Sequence, residues 1–233
     1  MLYIPLGLVF FLAFWFLFAL LAGLIQIGIL QYVFESMGVS RRYMLALLLF
    51  SLLGSYVNIP IAHLPSQHMH TGEVVDFFGI QYVVPVVVNS PGTVLAVNVG
   101  GAVIPFLLSM YLIAKHRLFE QSVLAVGAVT IVVHAMARPV PGVGIAVPIF
   151  IPPVITAIVA LLLHRRNPAP LAYIAGSLGT LIGADLLNLN KVRDLGAPVA
   201  SIGGAGKFDG IFLTGVVAVL LTSILGGRAY SRR

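Results

Sequence analysis

Apolar residues along this chain fall in long unbroken runs, with polar residues confined to short intervals between them. A helix needs roughly 20 apolar residues to cross the hydrocarbon core of a bilayer. Runs of that order predict about seven transmembrane helices, at residues 5–33, 44–62, 99–114, 122–138, 148–163, 169–189 and 210–227. The first run has no basic segment before it. It also far exceeds the core of about 7–15 residues found in a signal peptide, so it reads as a retained span. Between the fourth and fifth runs stands Arg138-Pro139-Val140-Pro141-Gly142-Val143-Gly144. Proline removes backbone donors and glycine loosens a helix, so regular helix cannot continue through it. Non-helical backbone at membrane depth persists only where protein or water satisfies it.

Two connections are long. Residues 63–98 carry β-branched runs at 77–88 and 93–98 on either side of Asn89-Ser90-Pro91-Gly92, a pattern that predicts a β-hairpin. Pro85 assigns its strand to an edge or a bulge. Residues 190–208 form a glycine-rich connection with Lys191, Arg193, Asp194 and Lys207. No internal repeat emerges. The expected fold is an all-α polytopic membrane protein, a single membrane domain over 1–233 with an extracytoplasmic β-hairpin insertion.

Composition agrees with the pattern. Hydrophobic residues make up 60% of the chain and charged residues 9%, against about 25% charged in a typical soluble domain. Lipid is therefore the expected solvent and partner for most of the surface. The formal net charge of +6 does not point to nucleic acid, because the cations sit beside apolar runs. Arg41, Arg42, Lys115, Arg117, Arg165, Arg166, Arg228, Arg232 and Arg233 share one face, and Arg138, Lys191, Arg193 and Lys207 the other. The richer face should be cytoplasmic. That places the N-terminus outside, the C-terminus inside, both long connections on the outer face, and the chain in the plasma membrane. Cysteine is absent, which excludes disulfides and thiolate-held metals. The sequence assigns no oligomeric state.

Ionisable residues within membrane helices are costly and are functional candidates by default. Asp185 stands in Leu181-Ile182-Gly183-Ala184-Asp185-Leu186-Leu187-Asn188, near the outer end of the sixth run. Asp209 stands in Gly206-Lys207-Phe208-Asp209-Gly210, where the seventh begins. A loop on the outer side joins these two helices, so the carboxylates share one level. Two carboxylates in a desolvated site cannot both ionise cheaply, and such a pair divides acid and base roles around a water. Three readings stay open: a catalytic pair, ion or proton coupling, and purely structural roles. In the last, Asp209 caps a helix N-terminus and Asp185 pairs with Lys191, Arg193 or Arg138.

His134 and Arg138, four residues apart, are expected on one helix face at the outer end of the fourth run. With Asn188 and Lys207 they are the candidate substrate-binding or relay residues. Alternatively Arg138 snorkels to the interface and His134 bonds a neighbouring carbonyl. His63, His68, His70 and Glu73 in the outer loop are weak candidates for a zinc site, because His68-Met69-His70 has no established zinc spacing. Asn58 and Asn98 read as helix-packing residues. No P-loop, nucleophile elbow, zincin or dinucleotide motif occurs, so no cofactor is expected.

Asn98-Val99-Gly100-Gly101-Ala102-Val103-Ile104-Pro105, the Arg138–Gly144 segment, Gly183-Ala184-Asp185-Leu186-Leu187-Asn188 and Gly204-Ala205-Gly206-Lys207-Phe208-Asp209-Gly210 together resemble an uncharacterised prokaryotic membrane-protein family, domain of unknown function sixteen-fourteen. That resemblance covers most of the chain and implies no activity. A looser similarity is to intramembrane aspartyl proteases of the presenilin and prepilin-peptidase type. It implies catalytic aspartates at Asp185 and Asp209 and a membrane peptide as substrate. Ala184 replaces the glycine that precedes the aspartate in those enzymes. The aromatic-Asp element Phe208-Asp209 follows the glycine-bearing aspartate, where presenilins have it first, and no Pro-Ala-Leu follows Asp209. The expectation is thus a candidate aspartyl protease-like hydrolase, with a permease for a small solute or ion, or a non-catalytic membrane scaffold, as alternatives.

Overall fold

A computed structural model describes residues 26–64, 68–77, 80–89, 92–140, 144–195, 199–204 and 210–226, with Trp15 and Gly23. Side chains of 68–70, 71–77, 80–89, 140, 144 and 193–195 lie outside that description. The chain is mostly helical with a small sheet. Helices α1 (Gln26–Ser36) and α2 (Arg41–Gly54) meet at 113°. There follow β1 (Asn58–Leu64), β2 (His68–Phe77), β3 (Ile80–Asn89) and β4 (Thr93–Asn98), then α3 (Ile104–His116) and α4 (Phe119–Met136). The short strands β5 (Arg138–Val140) and β6 (Gly144–Ala146) lead to α5 (Ile151–Leu163) and α6 (Pro168–Thr180). Strand β7 (Val199–Ile202) and α7 (Gly210–Leu225) complete the order.

Among the described residues, three helices are long and apolar enough to cross a membrane: Val99–His116, Phe119–Met136 and Pro168–Val192. The bent α1–α2 pair makes a fourth if counted as one span. Helices α5 and α7 have 13 and 16 residues, about 20 and 24 Å at 1.5 Å per residue, short of the ~30 Å hydrocarbon core. Most of the first apolar run lies outside the described residues.

Two expectations need correction. The apolar run at 44–62 is not one helix: α2 stops at Gly54 and the chain continues as β1. Hydropathy alone cannot separate a buried strand from a helix, and the signal here was Val57-Asn58-Ile59-Pro60-Ile61, β-branched and interrupted by proline. A hairpin is present, but it joins β2 to β3, with Phe77 opposite Ile80 and His68 opposite Asn89. Strand β4 turns away from β3 and pairs antiparallel with β1 and parallel with β7. The Pro/Gly segment after α4 folds as the antiparallel pair β5–β6, Arg138 opposite Ala146.

The centre of the bundle is α6. Every residue from Ala169 to Leu181 is buried, and α3, α4, α5 and α7 pack around it. Small residues make that density possible. A Cβ on Gly179 would stand 2.7 Å from Val129 Cβ of α4, and one on Gly176 would stand 3.1 Å from the Cα of Gly215 in α7. Large apolar side chains face outward instead, among them Phe50, Leu124, Ile131, Phe150 and Ile224, as suits an apolar solvent.

Candidate functional site

The sheet delivers two glycine turns to one end of α6. Helix α3 is preceded by a widened π-helical stretch, Val99–Val103, and α6 runs into another, Leu181–Asp185, followed by the 3-10 helix Leu186–Leu195. Such bulges break the helical ladder and release carbonyls for other donors. At the end of β7, Gly203 has φ +88°, and a Cβ there would lie 2.6 Å from Ala102 N. Only glycine fits both demands. A Cβ on Gly101 would fall 1.9 Å from Gly203 O, so the two turns touch through bare backbone.

Asp185 closes this junction. Its Oδ2 accepts a hydrogen bond from Gly203 N–H at 2.7 Å, and the residue is half-buried. Asn98 performs a matching task on the neighbouring turn, where its Oδ1 accepts from Gly101 N–H at 2.8 Å. The Asn98 amide donates to Ser55 O at 2.8 Å and to Asn58 Oδ1 at 3.1 Å, and Ser201 Oγ donates to the same Asn58 oxygen. Asn98 is 1% exposed, so the bonds of its own side chain are shielded from bulk solvent, whereas Asn58 is exposed. Asn58 and Asn98 therefore join the sheet to α2 and to the first π stretch, where helix packing was expected.

On the α4 side, Asn188 is fully buried beneath the second π stretch. Its Nδ2 lies 3.0 Å from Gly183 O and 2.9 Å from Ala184 O, and its Oδ1 accepts from Lys191 Nζ at 2.8 Å. His134 Nδ1 stands 3.3 Å from Gly183 O and 3.3 Å from Asn188 Nδ2. One of those neighbours is an acceptor and the other a donor. The Nδ1–H tautomer donates to the carbonyl, and the other tautomer accepts from the amide. The structure thus gathers Asp185, Asn188, Lys191 and His134 around one bulge.

Arg138 does not share the helical face of His134. Helix α4 ends at Met136, Ala137 is extended (φ −68°, ψ 126°), and Arg138 is exposed on β5. Asp209 and Lys207 lie outside the described residues, as do the side chains of His68, His70, Glu73, Arg193 and Asp194. Sequence reasoning overlooked Gly203 and took Asn98 for a helix-packing residue. The signal was a short echo, Asn98-Val99-Gly100-Gly101-Ala102 and Ser201-Ile202-Gly203-Gly204-Ala205, on strands that pair in parallel.

Comparison with known proteins gives one family. The model described as "Protein of unknown function (DUF1614)" matches residues 52–221, which include Asp185, Asp209, His134 and both glycine turns. No curated protein and no solved structure matches the chain.

Proposed function

We propose, from the premise that this chain belongs to the DUF1614 family, that it is a membrane-embedded hydrolase in which Asp185 and Asp209 activate a water for attack on a peptide bond. In this reading the ionised carboxylate takes a proton from the water. The protonated partner donates to the carbonyl oxygen, and the pair then returns a proton to the leaving amine. The finer topology belongs to the same reading: seven spans in the plasma membrane, N-terminus outside, and the dyad at the outer rim.

One observation carries the reading. Helices α6 and α7 pack antiparallel, with Gly176 against Gly215 and with Leu181 and Ile211 in one apolar cluster. Ile211, at the start of α7, thus shares a cluster with Leu181, four residues before Asp185, and Asp209 is two residues before Ile211 in the chain. Asp185 is also tied to Gly203, six residues before Asp209 in the chain.

Because the chain has no cysteine, a paired replacement tests this directly. Asp185→Cys/Asp209→Cys should be joined by a short bis-methanethiosulfonate, as should the strand neighbours Leu95→Cys/Ala200→Cys used as control. Cross-linking of the control alone would remove the dyad.

An ion-coupled permease is the second reading, favoured by buried hydroxyls on Ser109, Ser122, Thr156 and Thr180 that have no hydrogen-bond partner among the described residues. Polar groups desolvated in this way suit a transient ion or water. Proteoliposomes that take up no candidate ion or solute would count against it.

A further inference from the structure

The bend between α1 and α2 creates a second polar feature, at the opposite end of α6 from Asp185. Its turn is pinned by the C-terminus of α3. The Lys115 ammonium donates to Gly38 O, and His116 Nε2 lies 3.0 Å from Met37 O. Gly38 has φ +79°, which lets the chain reverse there. Arg41 and Arg42 open α2 three and four residues later, and Arg117 follows the pinning pair. All three arginines and Lys115 are exposed. Two tyrosines frame them: Tyr43 is 70% exposed, and Tyr111 is 50% exposed with its ring centroid 5.4 Å from Lys115 Nζ. The carboxylates on adjoining elements are Glu35, which accepts from Gln31 at 2.7 Å, and Glu120 in the first turn of α4. Four cations against two anions leave the niche positive.

We infer that this niche binds the phosphate of an anionic phospholipid. The inference stands independently of the hydrolase reading. Arginine forks match phosphate oxygens in pairs, and tyrosine rings settle at the headgroup level of a bilayer. Below the niche α2 turns Leu45, Leu49, Phe50 and Leu53 outward, an apolar surface on which acyl chains lie. Charge complementarity and this continuous apolar wall together select a lipid. A comparison pair is built into the molecule: Arg165 and Arg166 are exposed in the α5–α6 turn, away from the bent α1–α2 pair.

The full-length protein in nanodiscs of phosphatidylcholine, with and without added phosphatidylglycerol, tests this by native mass spectrometry of co-released lipid. The unaltered chain should retain phosphatidylglycerol selectively. Each basic residue near an anionic surface contributes about 1 kcal/mol, a factor of about five, so Arg41→Gln/Arg42→Gln/Arg117→Gln should lower that selectivity about a hundredfold. Arg165→Gln/Arg166→Gln removes only diffuse surface charge and should lower it by well under the roughly fivefold per charge expected at the niche. Should the triple variant melt early in phosphatidylcholine alone, Arg42→Gln carries the test, with an expected loss of about fivefold. Equal losses from both arginine sets would reduce the effect to diffuse charge and overturn the inference. So would an unaltered chain that shows no preference for phosphatidylglycerol.

Discussion

Replacing Gly203 by alanine is the sharpest test of the junction beneath Asp185. An L-residue at φ +88° costs about 1–2 kcal/mol in backbone strain alone. The new methyl would also meet Ala102 N at 2.6 Å and Ala102 Cβ at 2.7 Å. The first obstacle is backbone, which cannot rotate away as a flexible side chain can. Overpacking of this kind costs a further ~1–3 kcal/mol. The total, roughly 2–5 kcal/mol, corresponds to a fall of about 4–20 °C in melting temperature at 2–4 °C per kcal/mol for a chain of this size. Thermal unfolding in detergent micelles reads it. Because the shift that makes room also moves the Gly203 N–H, combination with Asp185→Ala should be non-additive by about 0.5–3 kcal/mol. A Gly203→Ala protein that melts with the parent would refute the contact between the two turns. Strict additivity with Asp185→Ala would refute its coupling to the carboxylate.

Two further outcomes follow from the same site. Asn188→Leu leaves Gly183 O, Ala184 O and the Lys191 ammonium without their buried partner. At about 1–3 kcal/mol for a stranded polar group, the melting point should fall measurably and amide exchange over 181–188 should quicken. Unchanged exchange there would show that Asn188 does not support the bulge. Asp185→Asn keeps an oxygen for Gly203 N–H and should melt close to the parent, whereas Asp185→Ala loses a charge-assisted bond worth about 1.5–3 kcal/mol. On the hydrolase reading both abolish cleavage by the reconstituted protein, and cleavage that survives either change would end that reading.

How far the sequence spoke for itself depended on which force shaped each element. The runs that became α3, α4 and α6 were legible because burial in an apolar bundle writes itself directly into hydropathy. The break at Arg138–Gly144 was legible because proline and glycine exclude helix locally. Strand β1 was hidden inside an apolar run, since its partners in β4 lie 29 to 40 residues away in sequence, from Leu64 opposite Thr93 to Asn58 opposite Asn98, and pairing at that distance leaves no local periodicity. The hairpin was assigned to the wrong strands for a related reason. The Asn-Ser-Pro-Gly sequence is a valid turn, but β4 finds better partners in β1 and β7. Asp185 was found from cost, as a charge in an apolar run. Its bond to Gly203 was not, because backbone donors carry no residue signature.

That backbone bond changes how Asp185 should be weighed. An aspartate that only stapled two turns together would be served as well by asparagine, the residue the chain places at Asn98 on the neighbouring turn with an equivalent bond to Gly101. The two turns are alike in sequence and pair through parallel strands, yet one is held by an amide and the other by a carboxylate. A carboxylate at membrane depth is costlier to desolvate than an amide. Asp185 also makes an interaction besides this staple, so its replacement by asparagine is the change that separates a structural task from a functional one. The explanations part at Asp185→Asn: a staple alone predicts a protein that keeps both stability and activity, a carboxylate whose charge is needed structurally a less stable one, and a functional carboxylate a stable protein without activity.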